Sequence, residues 1–587
     1  MRKKENYLNL ILAFITGIIL WGILALFFDF YYELNDDVLI KDILAGVYTG
    51  RPDAHNNQMM YPISFLITML YGMTKNIPWF GIFEIACFAI SFIIICSRLL
   101  GIVEGIIQKI ILAIFMLVLW LGAYLWELTM IQYTVVCGVL CMAAAIWVYT
   151  SDHKDSIKGF VFENVPAIVL AILAFNIRSE MFLLMCPFMA MAGLARWANE
   201  PTKKESNSTS YKGILDIINI KKYFCLIGII IAGILVTVVI DRMAYSKAEW
   251  KVYRDFFDAR TEVYDFTGIP DYSANEEFYR GEGITESQYQ LLVDYNFVLD
   301  NQITADKLWA IANYVKSGEA KNADGSPYVR LNKSIKTTLG EYVRGAVRFT
   351  VDSSYDLKSP FADEASQLIP MNMIVILLYV TLFMIAYFGR IYRYVIVLPA
   401  LVMLRSIAWV YIYYKGRLVS RITHPMFFIE IVLLLAMIIY EINLRGREFS
   451  NRMKSDASKN TFRHELSTKG YAYLAIVLTT AICILNGINL GKQIQAKQYL
   501  RDDINFDVKQ LNDYTEKHEG YYLIDVYSTV DFTEKIFSKE IVDKSNQQLA
   551  GGWIAKSPLD AEKGSGYSDY YFAQRIDGKW RYESIDR

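Results

Sequence analysis

Eleven long apolar runs constrain this chain more than any other feature of its sequence. A helix needs about 20 apolar residues to cross the hydrocarbon core of a bilayer. Runs that approach this length lie at 7–28, 78–98, 109–125, 130–149, 161–176, 180–197, 223–240, 371–389, 394–413, 424–442 and 471–490. The first run is too long for a secretory signal and no A-x-A cleavage site follows it, so we interpret it as a retained span. The sequence predicts a polytopic all-α membrane protein with about 11 transmembrane helices.

The charges between the spans predict an orientation. Cytoplasmic connections of membrane proteins carry an excess of Lys and Arg. If Arg2 and Lys3 are cytoplasmic, the even-numbered connections are cytoplasmic too. These are rich in Lys and Arg, beginning with Arg98 and Lys109, whereas the short outer connections near 126–129 and 177–179 hold only one basic residue, Arg178. We therefore expect a cytoplasmic N-terminus and a C-terminus outside the membrane. No organelle-targeting signal is visible, which favours a bacterial plasma membrane.

The composition excludes other classes of protein. The chain has 59 Lys and Arg against 60 Asp and Glu, so it lacks the basic excess of a nucleic-acid-binding protein. Its hydrophobic share of 54% exceeds the roughly 45–50% of soluble domains. All seven cysteines fall inside predicted spans, so we expect no disulfide outside the membrane.

The spacing of the spans divides the chain into four parts. These are an N-terminal membrane module (1–240), a large outer loop (241–370), a second membrane module (371–490) and an outer soluble module (491–587). Within the first part, residues 29–77 form a first outer loop. Apolar spacing over 285–317 predicts a helical cap in the large loop. A helix at 504–517 followed by a strand at 521–527 predicts a small α/β C-terminal module.

The first outer loop contains an acidic pair, Asp36 and Asp37, directly after Asn35. One of two neighbouring carboxylates can act as a general base when desolvation and its neighbour shift its pKa. Adjacent helical residues point about 100° apart, so we expect only one of the pair to face a substrate. The structural alternative is that both aspartates cap the next helix, with Asn35 as its N-cap.

The context of this pair resembles the first outer loop of the GT-C glycosyltransferases. These enzymes include the protein O-mannosyltransferases and the aminoarabinose transferase of lipid A. The resemblance is carried, in chain order, by Asn35-Asp36-Asp37, Gly46 to Pro52, Tyr61-Pro62-Ile63-Ser64-Phe65, Leu70-Tyr71-Gly72, Gln132-Tyr133-Thr134 and Asn176-Ile177-Arg178-Ser179-Glu180. It covers roughly residues 1–200 by motif and the remainder by topology.

This resemblance implies a GT-C-like fold and an activity. Such enzymes transfer a sugar from a polyprenyl-phosphate donor to an acceptor on the outer face of the membrane, usually with inversion. Asp36 or Asp37 is then expected to be the general base. The partners implied are the lipid-linked donor, membrane lipids, and an envelope glycan, lipid or protein as acceptor.

Transfer from a lipid phosphate requires cations for the leaving group, and arginine binds phosphate bidentately. The candidates for donor-phosphate binding on the predicted outer side are Arg178, Lys415, Arg417 and Arg421. For Arg417 and Arg421 the alternative is snorkelling to lipid headgroups. For Arg178 the alternative is an ion pair with Glu180 or Glu127.

Further polar side chains are candidates for the acceptor cleft. They are Asp53, His55, Tyr61, Glu127, Gln132 and His424. His424 is alternatively a cap at the start of the tenth span. Asp53 and His55 lie two residues apart, but two candidate ligands favour a polar turn over a divalent metal site. No cofactor is therefore predicted.

Arg405, Glu430 and Glu84 lie several residues inside predicted spans, and a charge costs about 2.5–3.5 kcal/mol at the bilayer centre. At 1.5 Å per residue, Arg405 lies roughly 12 Å from the outer end of its span. Glu430 and Glu84 each lie roughly 9 Å deep by the same rise. The similar depths predict a structural ion pair between Arg405 and Glu430 or Glu84, with donor binding as the alternative for Arg405.

Two other classes of function are open on sequence grounds. In a transporter or flippase of a lipid-linked glycan, the outer cations would line a pathway. That class should show broken helices and polar groups near the bilayer midplane, which are sparse here. In a non-catalytic envelope-assembly protein, the outer segments would bind a partner and the acidic pair would be incidental.

Overall fold

A computed structural model describes residues 2–200, 216–328, 334–346, 371–453, 459–538 and 542–585. Eleven helices precede residue 245: α1 (Arg2–Phe27), α2 (Asn35–Ala45), α3 (Tyr61–Met73), α4 (Trp79–Leu100), α5 (Ile106–Ala123), α6 (Leu125–Thr129), α7 (Tyr133–Thr150), α8 (Ile157–Glu163), α9 (Val165–Ile177), α10 (Ser179–Trp197) and α11 (Ile217–Ala244). Two short strands, β1 (Tyr31–Tyr32) and β2 (Met130–Ile131), lie among them.

The rest of the described chain contains ten further helices and four strands. The helices are α12 (Ala248–Thr261), α13 (Glu276–Gly281), α14 (Glu286–Val293), α15 (Ala305–Ser317), α16 (Ile335–Ala346), α17 (Met371–Gly389), α18 (Tyr394–Lys415), α19 (Ser420–Met453), α20 (Lys459–Lys517) and α21 (Pro558–Gly564). The strands are β3 (Tyr521–Ile524), β4 (Gln547–Leu549), β5 (Tyr570–Ile576) and β6 (Lys579–Ile585). Parts of the predicted large outer loop, 329–333 and 347–370, lie outside the described residues.

Ten described helices are long and apolar enough to cross a membrane: α1, α4, α5, α7, α10, α11, α17, α18, α19 and α20. The pair α8 and α9 becomes an eleventh span if its two helices, bent by 57°, are taken together. Pro166, in the first turn of α9, explains the break, because proline lacks an amide hydrogen and restricts the residue before it. The prediction of a polytopic all-α membrane protein is confirmed.

A short parallel ladder determines where the first loop lies. Tyr31 pairs with Met130 and Tyr32 with Ile131, so the chain leaving α1 is joined to the chain entering α7. On the other side, the amide of Ile536 donates to the carbonyl of Phe30 at 2.9 Å. The first residues of α2 are therefore held between the start of α7 and the C-terminal segment.

The C-terminal segment is a four-stranded sheet in the order β4-β3-β5-β6. Strand β3 is parallel to both neighbours, and β5 and β6 form an antiparallel hairpin. Asp577 and Gly578 have positive φ angles of 50° and 75°, as an Asp-Gly hairpin turn requires. The predicted helix at 504–517 is the end of α20, which continues from its membrane-spanning part.

The two segments that we predicted as separate modules share one hydrophobic core. Phe256, Phe297 and Leu308 from the large loop pack in the same cluster as Tyr521 and Leu523 of β3. The side-chain amide of Asn296 also donates to Asp525 at 2.7 Å. The division at residue 491 therefore separates two segments of one packed unit, which we call the polar head (248–328 and 521–585).

Candidate functional site

The two aspartates of the acidic pair have different environments. Asp37 is fully buried, whereas Asp36 is half-buried. Helix α2 has Leu34 as its N-cap residue and no side-chain cap, so the proposed capping by Asn35 is wrong. Because α2 begins at Asn35, the neighbouring carboxylates project in different directions from its first turn.

Asp37 stabilises the start of another helix. Its Oδ1 accepts a hydrogen bond of 3.0 Å from the backbone amide of Tyr133, the first residue of α7. Gln132, the N-cap residue of α7, accepts from the amide of Thr134 at 2.7 Å. Burial raises the pKa of Asp37 well above its ordinary value, against the opposing effect of the Tyr133 amide. Asp37 and Gln132 therefore satisfy amides that the helix itself leaves unpaired.

Asp36 faces the polar head. Its Oδ1 accepts a hydrogen bond of 3.0 Å from the indole Nε1–H of Trp553. Its Oδ2 makes no hydrogen bond to any described residue. Oδ2 of Asp37 likewise has no hydrogen bond among the described residues, but it is buried, so Asp36 is the aspartate whose unbonded oxygen is accessible to a ligand.

Arg178 lies close to the acidic pair. Its guanidinium donates to the side-chain oxygen of Gln58 and lies 5.4 Å from the ring centroid of Tyr133. It also forms an ion pair of 3.1 Å with Glu180, so this predicted alternative is present. Tyr133 thus links Arg178 to Asp37, whose Oδ1 accepts from the Tyr133 amide, and Asp36 is one of the acidic groups whose charge acts on Arg178.

The three cations near the α18–α19 connection differ in their pairing. Arg417 is ion-paired with Asp265 at 3.0 Å, and the ammonium of Lys415 lies 4.4 Å from the ring centroid of Phe266. Among the described residues, Arg421 makes no ion pair or hydrogen bond, although its charge lowers the pKa of Asp37. The predicted set of four therefore contains two cations that the large loop already engages and one unpaired arginine.

His424 and Glu127 form a buried pair. The imidazole Nδ1 of His424 contacts the carboxylate of Glu127, and both side chains are almost fully buried. Helix α19 begins at Ser420, so the idea that His424 caps it is wrong. Because Glu127 pairs with His424, it is not the partner of Arg178.

Asp53 and His55 bond to each other. Oδ1 of Asp53 accepts from the His55 ring at 2.7 Å and from its backbone amide at 2.8 Å. Although burial opposes it, hydrogen bonding to His55 holds the pKa of Asp53 below its ordinary value. The imidazole stacks on Trp250 with centroids 4.9 Å apart, and Tyr61 lies beside it at 4.9 Å. The described residues contain no group of three His, Cys, Asp or Glu side chains suited to a metal ion.

Of the three charges predicted inside spans, Arg405 and Glu430 are paired with each other and Glu84 is not. Arg405 forms an ion pair with Glu430 at 2.8 Å and donates to the side-chain oxygen of Asn372 at 3.1 Å. Glu84 is not a partner of Arg405, and that alternative is wrong. The Glu84 carboxylate is buried in α4, neither of its oxygens makes a hydrogen bond to a described residue, and the charged group acting on it is Asp37.

Sequence reasoning missed several residues of this cluster. Gln58 bridges Arg178 and the hydroxyl of Tyr133, which lies 3.1 Å from its side-chain oxygen. Asp265 engages Arg417, and Trp553 bonds Asp36. Only Trp553 carried a local signal, since Gly551 and Gly552 before it indicate a tight turn; the other contacts depend on long-range packing.

Comparison with family models, curated proteins and solved structures finds no match to this chain. The fold defines its class as a multi-pass membrane protein with about ten apolar helices.

Proposed function

We propose that this chain is an integral-membrane glycosyltransferase of the GT-C type. It transfers a sugar from a polyprenyl-phosphate donor to an envelope acceptor on the outer face of the plasma membrane. The observation that carries the proposal is the combination of a half-buried carboxylate, Asp36, with two arginines, Arg178 and Arg421, at one end of the helix bundle. General-base transfer from a lipid phosphate needs both kinds of group in one place.

The chemistry assigns a role to each group. Oδ2 of Asp36 takes the proton of the acceptor hydroxyl while the hydroxyl oxygen attacks the anomeric carbon of the donor sugar. The bond from that carbon to the phosphate oxygen breaks, and its electron pair goes to the lipid phosphate. Arg421, which has no ion pair among the described residues, and Arg178 stabilise the developing negative charge. A single displacement of this kind inverts the anomeric configuration.

The assignment of Asp36 as the base follows from burial. Asp37 is fully buried and its Oδ1 is bonded to the start of α7, so it supports the site without meeting the acceptor. The proposed topology places the N-terminus in the cytoplasm and the polar head outside. The concentration of Lys and Arg in the even-numbered connections supports it.

Transfer assays on the purified protein in lipid nanodiscs test this proposal. The substrates are radiolabelled polyprenyl-phosphate sugars and a crude envelope acceptor. We expect Asp36→Asn to lose about 10²-fold or more of the activity, because the amide cannot accept the proton. Arg421→Gln is expected to lose activity with the lipid-phosphate donor. Asp29→Asn is the matched control, since Asp29 lies in the same loop and is paired with Lys535 at the surface.

Full activity of a folded Asp36→Asn protein would contradict the assignment of the base. If no donor supports transfer but lipid-linked glycan crosses liposomes that contain the protein, it is a transporter or flippase. If neither activity is found, the assembly-protein alternative is favoured.

A further inference from the structure

The turn Gly551-Gly552-Trp553 connects the polar head to the proposed base. The indole of Trp553 reaches Asp36 across 517 positions of sequence. Trp553 is 5% exposed and Asp36 is half-buried, so the contact is partly shielded from solvent. The carboxylate oxygen that Trp553 does not bind has no partner among the described residues.

The backbone of the turn Gly551-Gly552-Trp553 lies close to the large-loop part of the polar head. Gly552 has a φ of +94°, a conformation that favours glycine. A Cβ atom on Gly551 would overlap the carbonyl oxygen of Tyr295. The preceding residue, Ala550, accepts a hydrogen bond of 2.8 Å from the amide of Val298. The turn is thus fixed against the large-loop part of the polar head: Gly551 has no room for a side chain, and at Gly552 a side chain would strain the backbone.

A second contact fixes Trp553 from the other side. The hydroxyl of Tyr253, in α12, donates to the carbonyl of Trp553 at 2.6 Å, and Tyr253 is itself buried. Trp553 is therefore held by both segments of the polar head while its indole reaches the first loop. A rigid donor of this kind can fix the orientation of the carboxylate that it binds.

A purely structural explanation is that a buried indole needs an acceptor for its N–H group. A backbone carbonyl meets that need elsewhere in the polar head, where Trp580 donates to the carbonyl of Asp507 at 2.8 Å. Trp553 instead binds the side chain that we propose as the base. Its hydrogen bond determines which oxygen of Asp36 is available for chemistry.

We propose that Trp553 is a positioning residue that holds Oδ1 of Asp36, so that Oδ2 is presented to the acceptor hydroxyl. This inference rests on the proposed function and makes the polar head part of the active site.

The test is the steady-state kinetics of sugar transfer by Trp553→Phe, which keeps an aromatic ring and removes the N–H donor. We expect kcat to fall about tenfold with KM for the donor unchanged, since a rotating carboxylate misplaces the base. Trp580→Phe, the matched control in the same polar head, is expected to change neither quantity. An unchanged kcat in Trp553→Phe would overturn the inference.

A second measurement needs no activity. In protein labelled with ¹⁵N-tryptophan, the indole resonance missing from the Trp553→Phe spectrum is that of Trp553. It is expected to shift in Asp36→Asn and to stay in place in Asp29→Asn. If the Trp553 resonance stays in place in Asp36→Asn, the inference is overturned, even where the folded Trp553→Phe protein is inactive. A shifting resonance in a wild-type protein that transfers no sugar contradicts the proposed function but not the contact.

Discussion

At the scale of single residues, the ion pair between Arg405 and Glu430 shows how this chain accommodates a charge inside a span. Arg405 is 7% exposed and Glu430 is fully buried, and the hydroxyl of Tyr379 also donates to Glu430 at 2.9 Å. Removing one partner leaves the other charge buried without compensation. We therefore expect Arg405→Met to lower the free energy of unfolding by about 3–5 kcal/mol, measured by thermal or denaturant unfolding in detergent.

The control for this prediction is the charge reversal. Arg405→Glu is expected to destabilise the protein, and the double variant Arg405→Glu with Glu430→Arg to restore much of the loss. If the double variant is no more stable than Arg405→Glu alone, the pair does not stabilise the fold as we describe.

Asp37 makes the free energy of unfolding depend on pH, with a sign opposite to that of most carboxylates. Its pKa is raised in the folded protein, above an unfolded value of about 3.9. Between these two values the folded protein binds more protons than the unfolded chain, so the free energy of unfolding falls as the pH rises. We expect Asp37→Asn to remove this fall. Asp37→Ala deletes the acceptor for the Tyr133 amide and is expected to lower the free energy of unfolding by about 1–2 kcal/mol. Unfolding curves from pH 4 to 8 that are parallel for wild type and Asp37→Asn would contradict this.

At the scale of elements, four charged side chains fasten helix α2 to the polar head. Lys544 contacts Asp42 at 2.8 Å and Glu534 at 2.9 Å, while Lys41 is paired with the same two carboxylates. Although burial opposes ionisation, Lys41 and Lys544 lower the pKa of Glu534 to about 2. Because Asp36 and Asp37 lie in the first turn of α2, this cluster also fixes the position of the acidic pair.

The lowered pKa of Glu534 predicts that the contact between α2 and the polar head weakens at low pH. The unfolded pKa of a glutamate is about 4.3, so the contribution of Glu534 is complete above that pH and is lost as the pH falls towards about 2. We expect Glu534→Gln to increase hydrogen exchange in β3 at pH 7 and to reduce its acid sensitivity. Glu516→Gln, at an exposed position of α20, is the control. Equal exchange in both variants would show that the cluster does not fasten the polar head.

The elements that sequence could predict are those fixed by local pattern. Long apolar runs indicated the spans, and similar depths indicated that Arg405 and Glu430 could meet. The break before α9 was not predicted, although Pro166 marks it. The two-residue ladder of β1 and β2, the shared core of the polar head and the bond between Trp553 and Asp36 join residues from about 100 to more than 500 positions apart, which periodicity does not encode.

At the scale of the whole molecule, the bundle and the polar head meet where the proposed chemistry lies. The first loop supplies the carboxylates, the connection between α9 and α10 supplies Arg178, and the connection between α18 and α19 leads to Arg421. The polar head packs against this end of the bundle. It contacts α2 and β1, and its residue Trp553 bonds to Asp36. The residues of the proposed site are scattered in the sequence because they come from four distant parts of the chain. The folded protein is needed to bring them together.

The orientation of the whole molecule in the membrane can be tested directly. If the polar head lies outside, a cysteine at the exposed Ser565 or Glu282 is labelled by an impermeant maleimide in sealed right-side-out vesicles. A cysteine at Asp155, 94% exposed in the connection between α7 and α8, is labelled only after the vesicles are opened. The native cysteines are buried or half-buried within the spans, so a variant without added cysteine gives the background. Labelling of Asp155→Cys with protection of Ser565→Cys would reverse the topology and place the proposed site in the cytoplasm, where an outer-face transfer could not occur.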